Sequence, residues 1–226
     1  MKILGLDMST RTGWALLDFD EEGIEILEYG NVDMKKHTPL SNTIEIEGRR
    51  TKKIAKVYDN SNQPEDFYDF VVNQYVPKLI DLIKLCEPSV IVIEQTNKGR
   101  NRWHQKLLEW LHLELYRQIK NSIRVASYSI TPKVEYIDTS EWRAYLGIHL
   151  SKDDRKQNRG VRRTRKKLQD GGDKNPRAGG SLTNIKHVAI YYIKNTFDIS
   201  LKVKENDIAE AICIAVAWSI KHDAQR

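Results

Sequence analysis

Hydrophobic positions recur with two different periods along the chain, and the switches between them outline its elements. Residues 2–7 (KILGLD) and 13–19 (GWALLDF) are apolar runs of strand length, joined by the polar stretch MSTRT, whose Ser and Thr together with Gly13 supply turn chemistry. Apolar and polar positions alternate along IEILEYG, which predicts a third strand over 23–32 and a meander of three antiparallel strands. Residues 37–63 are polar, and a helix is expected to begin near 49–58. Over 65–85 apolar residues return at helical spacing, with Pro77 expected to kink or split the helix. The β-branched run at 90–93 reads as a buried strand ending at Glu94, parallel because a helix leads into it. A Leu- and Trp-rich amphipathic helix follows over 101–120, then a strand over 134–139. The next helix is expected to be N-capped by Ser140 and stopped by Gly147. TNIKHVAIYYIKNTF is amphipathic, and KENDIAEAICIAVAWSIK is apolar on nearly every side, so the last helix should be buried. This order predicts an α/β fold with a mixed sheet and helices on both faces.

Composition narrows the class. The 226 residues, 40% hydrophobic and 30% charged, suit one large domain or a domain with an insertion. No apolar stretch is long enough to span a bilayer, and MKILGLD reaches an acid too soon for a signal peptide. Cys86 and Cys213 form no CxxC, so a reduced, cytoplasmic protein is expected (host cytoplasm if viral). The histidines show no zinc-ligand spacing.

The net charge of +6 is concentrated in residues 151–177, SKDDRKQNRGVRRTRKKLQDGGDKNPR. Eleven Lys or Arg against four Asp give that segment +7, leaving 37 − 11 = 26 basic and 31 − 4 = 27 acidic residues, or −1, elsewhere. With its Gly-Gly and Asn-Pro pairs it is expected to be a mobile insertion at about 151–181, either a solvated linker or a nucleic-acid contact that orders on binding.

Two acids end predicted buried strands, Asp7 and Glu94, and two more, Asp207 and Glu210, share a face at the start of the apolar C-terminal helix. Buried carboxylates are costly unless paired or bound to a cation. Each has an ordinary alternative: Asp7 as a turn residue, Glu94 paired with a cation of NKGRNR, Asp207 with Glu210 as a capping box. If the last helix crosses the ends of the first and fourth strands, the four converge, and hard oxygen ligands in that number suit Mg²⁺ or Mn²⁺. Two such ions are the usual apparatus for displacement at a phosphodiester.

ILGLDMSTRTGWAL, VIVIEQTNKGRN and KENDIAEAICIAVAW, in that order, resemble motifs of the RuvC family of Holliday-junction resolvases in the RNase H-like superfamily, and SEWRAYLGI resembles the W-R-x-x-L-G element of phage-type members. The resemblance implies a single RNase H-like nuclease domain over 1–226 built on a five-stranded mixed sheet. It also implies a metal-dependent endonuclease that nicks branched DNA, with Asp7, Glu94, Asp207 and Glu210 holding two Mg²⁺ or Mn²⁺ ions. Met8 and Glu210 depart from the residues usual at their positions, and no aromatic residue directly follows Glu94; Trp103 is the nearest. Lys98, Arg100 and Arg102 follow Glu94 closely enough to grip the cleaved strand. Lys186 matches a basic residue of the family near the scissile phosphate, and Lys156, Arg162, Arg163, Arg165, Lys166 and Lys167 would contact flanking arms. A junction has approximate two-fold symmetry, so a homodimer is expected, with apolar surface on the 101–120 helix available for it or simply for the core. No membrane and no nucleotide cofactor are expected. The rival readings are a broader debranching or RNase H-type nuclease, an actin-like-fold ATPase and a non-catalytic junction-binding protein.

Overall fold

Three strands open the chain: β1 (Lys2–Asp7), β2 (Arg11–Phe19) and β3 (Ile24–Asp33). They form the antiparallel meander that the alternation predicts, with β2 beginning two residues earlier than expected. The structure, a computed structural model, describes residues 1–9, 11–33, 71–95, 102–125, 131–170, 182 and 184–223; the expected helix near 49–58 lies outside these. β4 (Val90–Glu94) adds to β1 in parallel and β5 (Lys133–Ile137) adds to β4 in parallel, giving a five-stranded mixed sheet in the order β3-β2-β1-β4-β5.

Side chains alternate across a strand, so each face of the sheet has its own core. Leu4, Leu6, Ile91 and Ile93 pack with α1 (Val76–Cys86) and α2 (Arg102–Val125) through Leu79, Ile83, Leu111 and Leu115. Leu111 and Leu115, offered by the sequence equally to a core or an interface, thus belong to the core, whereas Leu113 and Tyr116 of α2 are exposed. On the opposite face Ile3, Ala15, Leu17 and Val92 pack with α3 (Thr139–Tyr145), α5 (Ile185–Phe197) and α6 (Asn206–Asp223). Every residue of α6 from Ile208 to Ser219 is buried, in keeping with its all-round apolar sequence. Each fully buried aliphatic side chain of this kind contributes about 1.5–3 kcal/mol.

One local expectation is corrected, and two stretches gain detail. The helical run is divided just before Pro77, as one of the two expected alternatives has it: Val71–Tyr75 form a π-helical turn, α1 begins at Val76, and Pro77 sits in the first turn of α1, where proline is well tolerated. The N-cap of α3 is Asp138, whose carboxylate accepts from the Ser140 N–H at 2.7 Å; Ser140 is already inside the helix. Within the basic segment α4 spans Lys152–Asp170. Its start is fixed by a reciprocal box in which the Ser151 hydroxyl accepts from the Asp154 N–H at 3.0 Å and Asp154 accepts from the Ser151 N–H at 3.1 Å. Residues 171–181 lie outside the described set. Among the described residues no helix is long and apolar enough to cross a membrane.

Candidate metal centre

Strand geometry aims two acids at α6. Ile3, Gly5 and Asp7 occupy alternate positions of β1, and Val90, Val92 and Glu94 occupy alternate positions of β4. Ile3 pairs with Val90 and Gly5 with Val92 in the parallel register, so both acids end rows that face the same helix. Close approach of α6 is then a matter of missing side chains. A Cβ on Gly5 would stand 2.3 Å from the Ala211 carbonyl oxygen, and one on Gly13, the β2 partner of Asp7, would stand 2.0 Å from the Asp207 carbonyl oxygen. Only glycine lets the first turn of α6 lie directly on the ends of β1 and β2.

The turn leaving Asp7 is pinned from the other face of the sheet. The Tyr75 hydroxyl donates to Thr12 Oγ1 at 2.6 Å, Thr12 Oγ1 donates to the Ser9 carbonyl at 3.2 Å, and the Thr12 N–H donates back to Tyr75 at 3.3 Å. At the start of α6 it is Glu205, in the short 3₁₀ turn Val203–Glu205, that accepts from the Lys202 N–H at 2.7 Å. Glu205 thus caps the 3₁₀ turn that leads into α6.

One carboxylate oxygen each from Asp7, Asp207 and Glu210 lie within 4.8 Å of one another. Asp7 and Glu210 are buried and Asp207 is half-buried. Burial, followed by the charges of Glu210, Glu94 and Asp207, holds the Asp7 carboxyl well above the usual carboxylate range, partly opposed by Lys186. Burial likewise raises Glu210, with Lys186 and Arg143 opposing and Glu94 and Asp207 adding to the rise. Two cations flank the cluster. Lys186 Nζ stands 3.8 Å from Asp207 Oδ1 and 4.0 Å from Glu210 Oε2, and an Arg143 terminal nitrogen stands 3.6 Å from Glu210 Oε1. These are ion-pair distances longer than a hydrogen bond, so Lys186 and Arg143 offset part of the negative charge while the three acids still face one another. A donor set of three hard oxygens, desolvated and mutually repelling, fits a divalent cation of the Mg²⁺ or Mn²⁺ kind.

Glu94, the fourth acid expected from sequence, is near enough for its charge to act on Asp7 and Glu210, yet it is not one of the three whose oxygens converge. Its Oε1 accepts from the Thr139 hydroxyl and from Trp142 Nε1–H at 3.4 Å, both on α3. The next residue, Arg143, lays its guanidinium over the Trp142 ring at 4.9 Å. Arg143, Thr139 and Tyr75 were not singled out as site residues from sequence. Arg143 lies inside the quoted W-R-x-x-L-G stretch and was within reach; Thr139 and Tyr75 carry no signal beyond their types.

Of the expected DNA-binding residues, Lys186 lies at the acidic cluster, and Lys156, Arg162, Arg163, Lys166 and Lys167 are exposed along α4. Arg165 is half-buried on another side of that helix. Lys98 and Arg100 lie outside the described residues, as do the side chains of Arg102 and Trp103 at the start of α2.

No family model and no curated protein sequence matches the chain. Among solved structures the chain is similar in fold to Thermus thermophilus RuvC in complex with a Holliday junction substrate, with a TM-score of 0.59 at 8% identity over 99% of this chain and 96% of that one. It is similar also to a second Thermus thermophilus RuvC structure, with a TM-score of 0.57 at 10% identity over 100% and 97% of the two chains. The fold of the described residues is therefore RuvC-like, an RNase H-like α/β arrangement.

Proposed function

We propose that the chain is a divalent-metal-dependent endonuclease that nicks branched DNA, with the Holliday junction as its substrate. The observation that carries this reading is the meeting of Asp7, Asp207 and Glu210, from the two ends of the sequence, with ligand oxygens within 4.8 Å of one another. It is supported by the RuvC-like fold, since a structure of that fold holds a Holliday junction as substrate.

Asp7, Asp207 and Glu210 would hold the cations, with Glu94 joining them through the oxygen that Thr139 and Trp142 leave free. Divalent ions held there supply Lewis-acid stabilisation to an in-line displacement at phosphorus. Lys186 and Arg143 flank the acids and would offer positive charge to a phosphate brought to them. Thr139 and Trp142 fix the Glu94 carboxylate, and Gly5 and Gly13 keep α6 close enough for its two acids to share a site with Asp7. In this reading 1–226 form one nuclease domain in which the basic segment is an insertion, and a two-fold homodimer presents two equivalent sites to the two strands that must be cut.

The test is cleavage of a labelled panel comprising a four-way junction, a three-way junction, a flap, a linear duplex and an RNA–DNA hybrid, with Mg²⁺ and with EDTA. Mg²⁺-dependent paired nicking confined to the four-way junction is the expected result. Equal cutting of linear duplex or hybrid would replace the junction by a broader substrate class, and cutting in EDTA would remove the metal.

A further inference from the structure

The cations of α4 are sorted by the helix in a way the linear sequence hides. Arg155, Arg159, Arg162 and Lys166 form one row at i, i+4, i+7 and i+11, and Lys152, Lys156, Arg163 and Lys167 form the row beside it. All eight are exposed. At about 100° per residue they fall within an arc of roughly 140° and extend over roughly 22 Å of helix axis. No acid interrupts this face before Asp170, the last residue of the helix. The less exposed residues, Asp154, Asn158, Val161 and Arg165, are a separate stripe at i, i+4, i+7 and i+11, turned away from the two cationic rows.

Like charges at i and i+4 destabilise a helix by several tenths of a kcal/mol per pair, and this face carries such pairs along its whole length. A polyanion laid along it removes that repulsion and gains from counter-ion release. A membrane surface is the poorer match: an interfacial helix needs a broad apolar face, whereas the only large apolar residues in the sequence of α4 are Val161 and Leu168. The chain passes from α3, which carries Arg143 to the acidic cluster, into α4 within a few residues.

We infer that the two-row face of α4 is a sequence-independent clamp for the phosphate backbone of a duplex DNA arm, separate from the acidic cluster and excluding Arg165. This assignment rests on the proposed reading of DNA as the substrate.

The experiment is fluorescence anisotropy of the full chain, without divalent ions, on a labelled four-way junction and on a linear duplex of its arm sequence, across a NaCl series. The variant replaces Arg155, Arg159, Arg162 and Lys166 by Gln, a good helix former. A control replaces the exposed Lys120, Lys133, Lys194 and Lys202 by Gln, with the same loss of net charge. Each lost phosphate contact lowers the slope of log K against log salt by about 0.9, so the α4 variant should lose about 3–4 from the slope on both DNAs by the same factor. The control should keep the wild-type slope. Circular dichroism checks the fold, and Arg155→Lys with Arg159→Lys and Arg162→Lys should retain the slope. An unchanged slope in the Gln variant, an equal loss in the control, or a loss on the junction alone overturns the clamp. Duplex binding is read without cleavage, so a chain that binds through α4 but cuts no junction refutes the proposed function and leaves the clamp standing. The reverse outcome refutes only the clamp.

Discussion

Gly13 is so close to Asp207 that an added Cβ would stand 2.0 Å from the Asp207 carbonyl oxygen. The contact is with backbone, so no side-chain rotation relieves it, and α6 must move outward. Gly13→Ala is expected to cost about 1–3 kcal/mol or more in thermal unfolding, and to lower Mg²⁺-dependent cleavage at least about tenfold by carrying Asp207 and Glu210 away from Asp7. Gly160→Ala is the control, because among the described residues its added Cβ meets nothing within 4 Å beyond its own helix backbone and chain neighbours, and α4 should gain up to about 1 kcal/mol of helix propensity. Equal stability of the Gly13 variant and the wild type would mean that α6 does not depend on this close approach.

Glu94 takes its orientation from α3. Thr139→Val removes the hydroxyl donor and Trp142→Phe the indole N–H without emptying the space they fill. Partners that orient metal ligands are worth about 10–100-fold in metal affinity or activity. Either substitution should therefore raise the Mg²⁺ concentration needed for half-maximal cleavage by that factor while saturating Mg²⁺ restores much of the rate. A loss of rate with no change in Mg²⁺ dependence would count against an orienting role.

Tyr75 bridges two buried partners, since Thr12 is fully buried and both its N–H and its hydroxyl meet the phenol oxygen. Tyr75→Phe leaves both without that partner, and a buried unsatisfied group costs about 1–3 kcal/mol. Denaturant unfolding should register a loss of this size; a change below about half a kcal/mol would show that other groups satisfy Thr12.

His112 gives the fold a pH dependence of its own. It is buried beside the Tyr136 ring, its Nε2 has no hydrogen-bond partner among the described residues, and burial lowers its pKa to about 4. An unfolded histidine titrates near 6.5. As pH falls from about 6.5 toward 4, the unfolded chain takes up a proton that the folded chain refuses, so stability falls, by up to about 3 kcal/mol across that window. Above it the histidine contributes no slope. His112→Phe should remove this contribution between those limits, leaving the raised carboxyls of Asp7 and Glu210, which act with the opposite sign, and at the acid end Glu114, whose carboxyl is held low by Arg117. An unchanged slope would place the titration elsewhere.

Much of the sheet was legible because it obeys period-two alternation: Ile3, Gly5 and Asp7 share a face by position alone, as do Val90, Val92 and Glu94. Burial of α6 followed from its uninterrupted apolar run. What escaped the sequence was mostly short-range choice between equivalent donors and acceptors. Asp138 and Ser140 are both good N-caps, and the backbone chose the first. Ser151 with Asp154 is a capping box that announces α4, but the density of charge and the Gly-Gly and Asn-Pro pairs downstream drew the reading toward a mobile insertion. The contacts of Glu94 with Thr139 and Trp142 depend on how α3 docks, which no local pattern encodes.

The meeting of Asp7, Asp207 and Glu210 is best tested by comparing wild type with Asp7→Asn in cleavage of a labelled four-way junction, after anisotropy has shown that both bind it. The substitution keeps shape and relieves charge repulsion among the buried acids, so the variant should fold and bind. Wild type should cut only when Mg²⁺ or Mn²⁺ is supplied, and the variant should be slower by about three orders of magnitude or more, a barrier increase of about 4 kcal/mol. Cleavage by the variant within a few-fold of wild type, or cleavage by wild type in EDTA, would mean that these oxygens do not form the catalytic metal centre.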